Sequence, residues 1–160
     1  MRRLIIALVN DHSGILNRIS GVLTRRQYNI NSISVGPTEN PAVSRISIVV
    51  QVEAKEEVEQ IIKQLNKQID VIKVSDITDD PHIERELALV KVCVAPATRA
   101  EIFSLIEPFR GNVIDVGAKS ITIQVTGTSE KIDAFVDVIR SYGIQQLART
   151  GVTGFTRGAK

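Results

Sequence analysis

The sequence predicts an α+β fold made of two βαββαβ units in tandem. Three observations carry this. Apolar runs with strand period and helix period follow one another in the same order twice, a polar stretch with a proline separates the two sets, and no apolar stretch approaches a membrane span. A chain of 160 residues with 43% hydrophobic content can bury real cores, and its length suits one domain or two small ones.

In the first half, Leu4 to Val9 is a continuous apolar run of buried-strand length, and Ile15, Ile19, Val22 and Leu23 then recur at helical spacing. Ile33 and Val35 alternate with polar residues and lead into the turn Gly36-Pro37-Thr38-Glu39-Asn40-Pro41. Ile46, Ile48, Val50 and Val52 then alternate with Arg45, Ser47 and Gln51, which together predicts a hairpin. Val58, Ile61, Ile62 and Leu65 mark one face of a second helix, opposite Glu56, Glu59, Lys63 and Lys67, and Val71 to Ile77 closes the unit as a strand.

Thr78-Asp79-Asp80-Pro81 reads as a linker. Beyond it Val90, Val92 and Val94 predict a strand. Thr98 with Glu101 fits a capping box, so a helix bearing Ile102, Leu105, Ile106 and Phe109 starts near Arg99. Val113 to Val116 and Ile121, Ile123 and Val125 form a strand pair around Gly117-Ala118-Lys119-Ser120. Ile132, Phe135, Val136 and Ile139 mark the last helix, and Ile144 to Ala148 the last strand. Each βαββαβ order predicts a four-stranded antiparallel sheet with two helices on one face, leaving the other face open unless something covers it. Open strand edges, in a half of about 75 residues that buries only some 60% of its unfolded surface, predict an oligomer.

Charge is nearly balanced at +2, with Lys and Arg interleaved among Asp and Glu. The clusters Arg2-Arg3, Arg25-Arg26 and Arg157 to Lys160 read as solvated surface. Neither nucleic acid nor membrane is an expected partner. A single cysteine, Cys93, excludes an internal disulfide framework and a cysteine-rich metal site, and implies a reducing, cytoplasmic setting. Within the Val90 to Val94 strand, Cys93 shares a face with Leu89 and Lys91 and is expected to behave as a small hydrophobe.

The stretch "NDHSGILNRI", residues 10–19, is the candidate binding element. Ser13 and Gly14 fall at the N-terminus of the first helix, where backbone N–H groups lack partners and favour a carboxylate by about 0.3 to 2 kcal/mol. Glycine lets a ligand approach without a Cβ in the way. No lysine followed by Ser or Thr completes a P-loop here. Asp11 adds an acceptor for an ammonium group, so the turn describes an α-amino acid. The plain alternative is that Asp11 or Ser13 merely caps the helix.

"LVNDHSGILNRISGVLTRRQYNINSISVGPTENPAVSRISIVV" resembles the ACT domain of the regulatory (small) subunit of acetolactate synthase, also called acetohydroxyacid synthase. "HIERELALVKV", "FRGNVIDV", "TGTSEKIDAFV" and "ARTGVTGFTRG" are similar to that subunit's C-terminal domain, so the resemblance covers nearly the whole chain. It implies two ferredoxin-like units: an ACT domain at 1–77 for effector binding and dimerisation, and a second at 82–160 for subunit interaction. It implies a homodimer that binds a branched-chain amino acid, usually valine, between two ACT domains. It also implies feedback inhibition and activation of a separate catalytic (large) subunit in branched-chain amino-acid biosynthesis. No cofactor is expected in this chain; thiamine diphosphate, Mg and FAD are expected in the catalytic partner.

Carried over by position, Asp11, Ser13, Gly14, Ile15 and Leu16 match the family's effector loop, while Asn29 and Ile30 match the "YNI" that faces it across the interface. Read for themselves, Asn29 and Asn31 are ordinary turn and strand-start residues. Asp11 stands where many members carry asparagine, altering the charge around the ammonium. Gln27 stands where a glycine often precedes "YNI", so the helix end needs another cap or tolerates a strained left-handed residue. Gly36 stands where a small residue is usual, which changes little.

Catalysis by this chain is disfavoured: His12 and His82 sit in separate polar settings with no HExxH spacing, no nucleophile elbow and no second cysteine. His12 is expected to cap or line the effector loop. An RNA-binding module shares the βαββαβ order, but its third strand would display aromatics, and "SRISIVVQV" has none in a chain only 4% aromatic. A free-standing amino-acid sensor of the ACT type is the nearest alternative.

Overall fold

The computed structural model describes residues 1–158; Lys160, in the basic cluster at the C-terminus, lies outside them. The chain folds as two compact units, residues Met1–Ile83 joined by the segment from Gly151 onward, and Glu84–Thr150. No helix among the described residues is long and apolar enough to cross a membrane.

The first unit runs β1 (Arg2–Asn10), α1 (Ile15–Arg25), β2 (Asn29–Pro37), β3 (Val43–Gln51), α2 (Lys55–Asn66) and β4 (Val71–Asp76). This is the expected βαββαβ order, and its antiparallel sheet is ordered β2-β3-β1-β4. Strand alternation sorts β1 into two faces. Ile5, Ala7 and Val9 pack with Ile46, Ile48 and Val50 against Ile19 and Leu23 of α1 and Val58, Ile61 and Leu65 of α2, while Leu4 and Ile6 point the other way.

Helix α1 ends on a left-handed Gln27, with φ 55°. Gln27 N–H donates to Thr24 O at 3.0 Å and Tyr28 N–H to Leu23 O at 3.3 Å. That is the Schellman arrangement, and Tyr28 packs on the core that holds Leu23. Of the two outcomes open at Gln27, the chain takes the left-handed residue, at a steric cost that glycine avoids.

The stretch expected to be a linker is tied down. Leu4 N–H donates to Thr78 Oγ1 at 2.8 Å, the Thr78 hydroxyl donates to Asp76 Oδ1 at 2.6 Å, and Arg3 Nη2 reaches Asp79 at 2.7 Å.

The second unit runs β5 (His82–Cys93), α3 (Arg99–Ile106), β6 (Asn112–Val116), β7 (Ser120–Gly127), α4 (Ser129–Ile139) and β8 (Ile144–Arg149). Its strands are ordered β6-β7-β5-β8, so the order of the first unit repeats. The core joins Ala88, Val90 and Val92 to Ile102, Ile132 and Phe135, with Phe109 edge-on to Phe135 at 5.3 Å between ring centres.

Two local expectations fail here. Thr98 does not cap α3: its hydroxyl donates to Ala95 O at 3.2 Å, closing the preceding turn, and Glu101 instead accepts from the Tyr142 hydroxyl at 2.6 Å. Thr98 has helical dihedrals rather than the extended ones a side-chain cap needs. Thr128 has them and does cap α4, accepting from Lys131 N–H. Cys93 is exposed, not a packed hydrophobe, because its face of β5 carries no helices; Gln145 Nε2 donates to its Sγ at 3.2 Å.

A ninth strand, β9 (Thr153–Thr156), was not foreseen. The sequence reading placed this segment in the 82–160 unit, but it packs with the first. Val152, 2% exposed, joins Leu4, Ile6, Val49 and Ile77 on the helix-free sheet face. The physical reason is the apolar patch that this face would otherwise leave in water. Arg157 N–H donates to Pro81 O at 2.7 Å, within the same unit.

Candidate functional site

The turn between β1 and α1 is built by backbone hydrogen bonds from both sides. Asn10 N–H donates to Asp70 O at 2.8 Å, Asp11 N–H to Ala42 O at 2.9 Å, and His12 N–H to Asn10 O at 2.8 Å. Gly14 then takes the N-cap position with φ 85° and ψ 0°, and no side chain caps the helix. This decides against the plain alternative that Asp11 or Ser13 serves as a cap. Ile15 N–H donates back to His12 O at 3.3 Å, so the amides of Leu16 and Asn17 are the first-turn donors left to water or a ligand, in the geometry that favours an anion.

Nothing lies within 4 Å of where a Gly14 Cβ would stand, so the approach to those amides is open. Asp11, Ser13, Gly14 and Leu16 are exposed, whereas Ile15 is buried in the core and can offer only its backbone. The turn therefore presents an acidic side chain, a hydroxyl, backbone donors and one apolar side chain, Leu16, 44% exposed.

Two residues that the sequence reading missed hold this turn. Asp70, just before β4, is buried, and its carboxylate pairs with His12 Nδ1 at 3.0 Å and Arg18 Nη1 at 2.8 Å. His12, expected to cap or line the effector loop, makes no helix cap and is paired with Asp70. The only local signal was a lone acid between Ile69 and Val71; the contacts themselves are long-range and leave no periodic mark.

Asn29 and Ile30 are not brought to this turn within one chain. Asn29 pairs with Gln51, as does Arg2, whereas Asn10 pairs with Val43. The two places are thus at opposite ends of the sheet, eight residues of β1 or roughly 26 Å apart. Asn29 is exposed, Ile30 packs partly on the core, and both lie on β2, an edge strand.

Among the described residues no group of three or more His, Cys, Asp or Glu side chains could hold a metal ion.

Comparison with known proteins agrees with this architecture. A family model described as an AHAS small subunit-like ACT domain matches residues 5–73, and one described as the small subunit of acetolactate synthase matches residues 85–158. The acetolactate synthase small subunit of Bacillus subtilis is 56% identical over 160 residues, all of this chain and 93% of that protein. The chain belongs to the acetolactate synthase small-subunit family. A probable small subunit from Archaeoglobus fulgidus is 47% identical over all of this chain and 99% of its own length. The crystal structure of the acetolactate synthase small subunit from Thermotoga maritima superposes with a TM-score of 0.90 at 35% identity, covering all of this chain and 99% of that one. The first unit is thus an ACT domain and the second a further ferredoxin-like unit. The small-subunit match extends through the segment that packs on the first unit.

Proposed function

We propose that this chain is the non-catalytic regulatory subunit of an acetolactate synthase, binding a branched-chain amino acid, valine first among them, and transmitting feedback to a separate thiamine-diphosphate-dependent catalytic subunit. The observation that carries the reading is the uncapped, glycine-led start of α1. The effector carboxylate accepts hydrogen bonds from the amides of Leu16 and Asn17, Asp11 accepts from its ammonium, and Leu16 lies beside its side chain.

The site is completed by a second copy. An antiparallel two-fold pairing of β2 edges centred on Ile33 brings Asn29 of one protomer beside Pro37 of the other. Pro37 shares a row with Ser44 and Val9, next to the turn. Asn29 then supplies an amide to the effector, and Ile30 lies beside it.

Calorimetry on the full chain tests this. Valine should bind at millimolar affinity or tighter, and Gly14→Asp should abolish binding by setting a carboxylate where the effector's own must lie. Aspartate tolerates the left-handed conformation better than most residues, so the variant should still fold. Unchanged valine binding in Gly14→Asp would remove the turn from the site, and a monomer at working concentration would remove Asn29. Pull-down from the source cell should recover a thiamine-diphosphate enzyme.

A further inference from the structure

The helix-free face of the first sheet carries a second recess, away from the β1–α1 turn. Its chemistry changes row by row along β1. Leu4 lies beside Val49, Ile6 lies between Ser47 and Ser75, and Leu8 lies between Arg45 and Lys73. The face is apolar at one end, hydroxylic in the middle and cationic at the other. Val152 covers the apolar end, and the chain then leaves Phe155 and Thr156 as one wall of a cavity of about 210 Å³ floored by Ile6 and Leu8.

Arg45 and Lys73 stand on that cavity's rim on strands flanking β1, about 10 Å apart at Cα by two strand spacings. Among the described residues neither side chain makes a hydrogen bond or an ion pair, their backbones being held in the sheet. Two cations held over a low-dielectric floor attract an anion more strongly than the near-neutral chain as a whole. Asp80, also at the cavity, is engaged in an interaction of its own.

We infer that this recess binds a small aliphatic carboxylate. The carboxylate sits between Arg45 and Lys73, and a short branched chain lies on Ile6 and Leu8, below Ser75. The size selects a few heavy atoms, since the cavity is below the roughly 300–1,000 Å³ of drug-sized sites. The apolar floor disfavours a bare inorganic anion, and the two cations disfavour an ammonium, so a carboxylate without an amino group fits here better than an amino acid. The inference does not rest on the effector reading.

Calorimetry of the full chain with isovalerate, acetate, inorganic phosphate and isobutylamine tests it. Isovalerate should bind, with affinity falling about fourfold for each methylene-sized group removed towards acetate. Arg45→Gln and Lys73→Gln should each weaken isovalerate about tenfold, as loss of a charge-assisted contact does. Lys73 is exposed, so that variant keeps the fold whatever Arg45→Gln does. Gly14→Asp should leave isovalerate binding intact while valine binding is lost, which separates this site from the turn. Unchanged isovalerate affinity in Lys73→Gln, phosphate binding as tightly as isovalerate, isobutylamine competing for the site, or loss of isovalerate in Gly14→Asp would each overturn the assignment.

Discussion

His12 Nδ1 lies 3.0 Å from Asp70 Oδ1, and the other oxygen of that carboxylate takes Arg18 at 2.8 Å. One buried acid thus joins the turn before α1, the first turn of α1 and the start of β4. The backbone of Asp70 adds the hydrogen bond from Asn10 N–H, so the turn is held from β4 by both main chain and side chain.

Asp70→Asn keeps the backbone contact and removes the charge. Half of the Arg18 side chain is exposed, so the expected cost is about 1 kcal/mol by urea denaturation. Faster amide exchange at residues 10–14 and weaker valine binding should accompany it. Unchanged exchange there would mean the backbone bonds alone position the turn.

Gln27→Gly should stabilise the protein by about 1 kcal/mol, because Gln27 holds φ 55° and glycine adopts that conformation without the Cβ clash. A raised urea midpoint with unchanged m-value is the expected result, and a lowered one would show that the glutamine side chain contributes more than its strain costs.

Val152→Ala should cost about 1.5 kcal/mol, two methyl groups leaving a site that is 2% exposed. Val152→Asp should release the segment from the sheet face, and limited trypsin digestion should then cut faster at Arg157. Gly151→Ala should act in the same direction, since its Cβ would come 2.7 Å from Ile33 O, a backbone atom with little room to move.

Asp79 gives a pH dependence whose sign is defined. Hydrogen bonds from Arg3 hold its carboxyl below the ordinary value of 3.8. The folded state therefore keeps this charge at pH values where the unfolded chain has lost it. Its stabilisation is present above pH 3.8 and disappears as pH falls through the lower, folded value. Urea midpoints of the parent and Asp79→Asn, compared across acid pH, should converge as pH drops. A constant difference would show that the ion pair adds no pH-dependent stability.

Several levels of this protein were legible in the residues alone. The unbroken apolar run Leu4 to Val9 determined a buried strand without choosing its core face, whereas the alternation of Ile46, Ile48 and Val50 and the helical spacing of Ile15, Ile19 and Leu23 determined both element and core face, because burial on one face imposes the period of the element itself. Gly14 was legible as the helix-start residue whose missing Cβ leaves the backbone open, but its left-handed conformation was not. Family membership was written in long unbroken segments of both halves. Thr98 was misread because a capping motif specifies residue types but not the extended dihedrals that let the side chain reach back.

Tertiary structure alone decided which distant groups meet. Asp70 reaches His12 and Arg18, Arg3 reaches Asp76 and Asp79, and Val152 closes over Leu4, Ile6 and Val49. Such contacts have no sequence period, because they depend on where folded elements place a side chain rather than on spacing along the chain. The sheet also determined that Asn29 and Gly14 stand at opposite ends of one protomer: a strand advances about 3.3 Å per residue and does not bend back on itself.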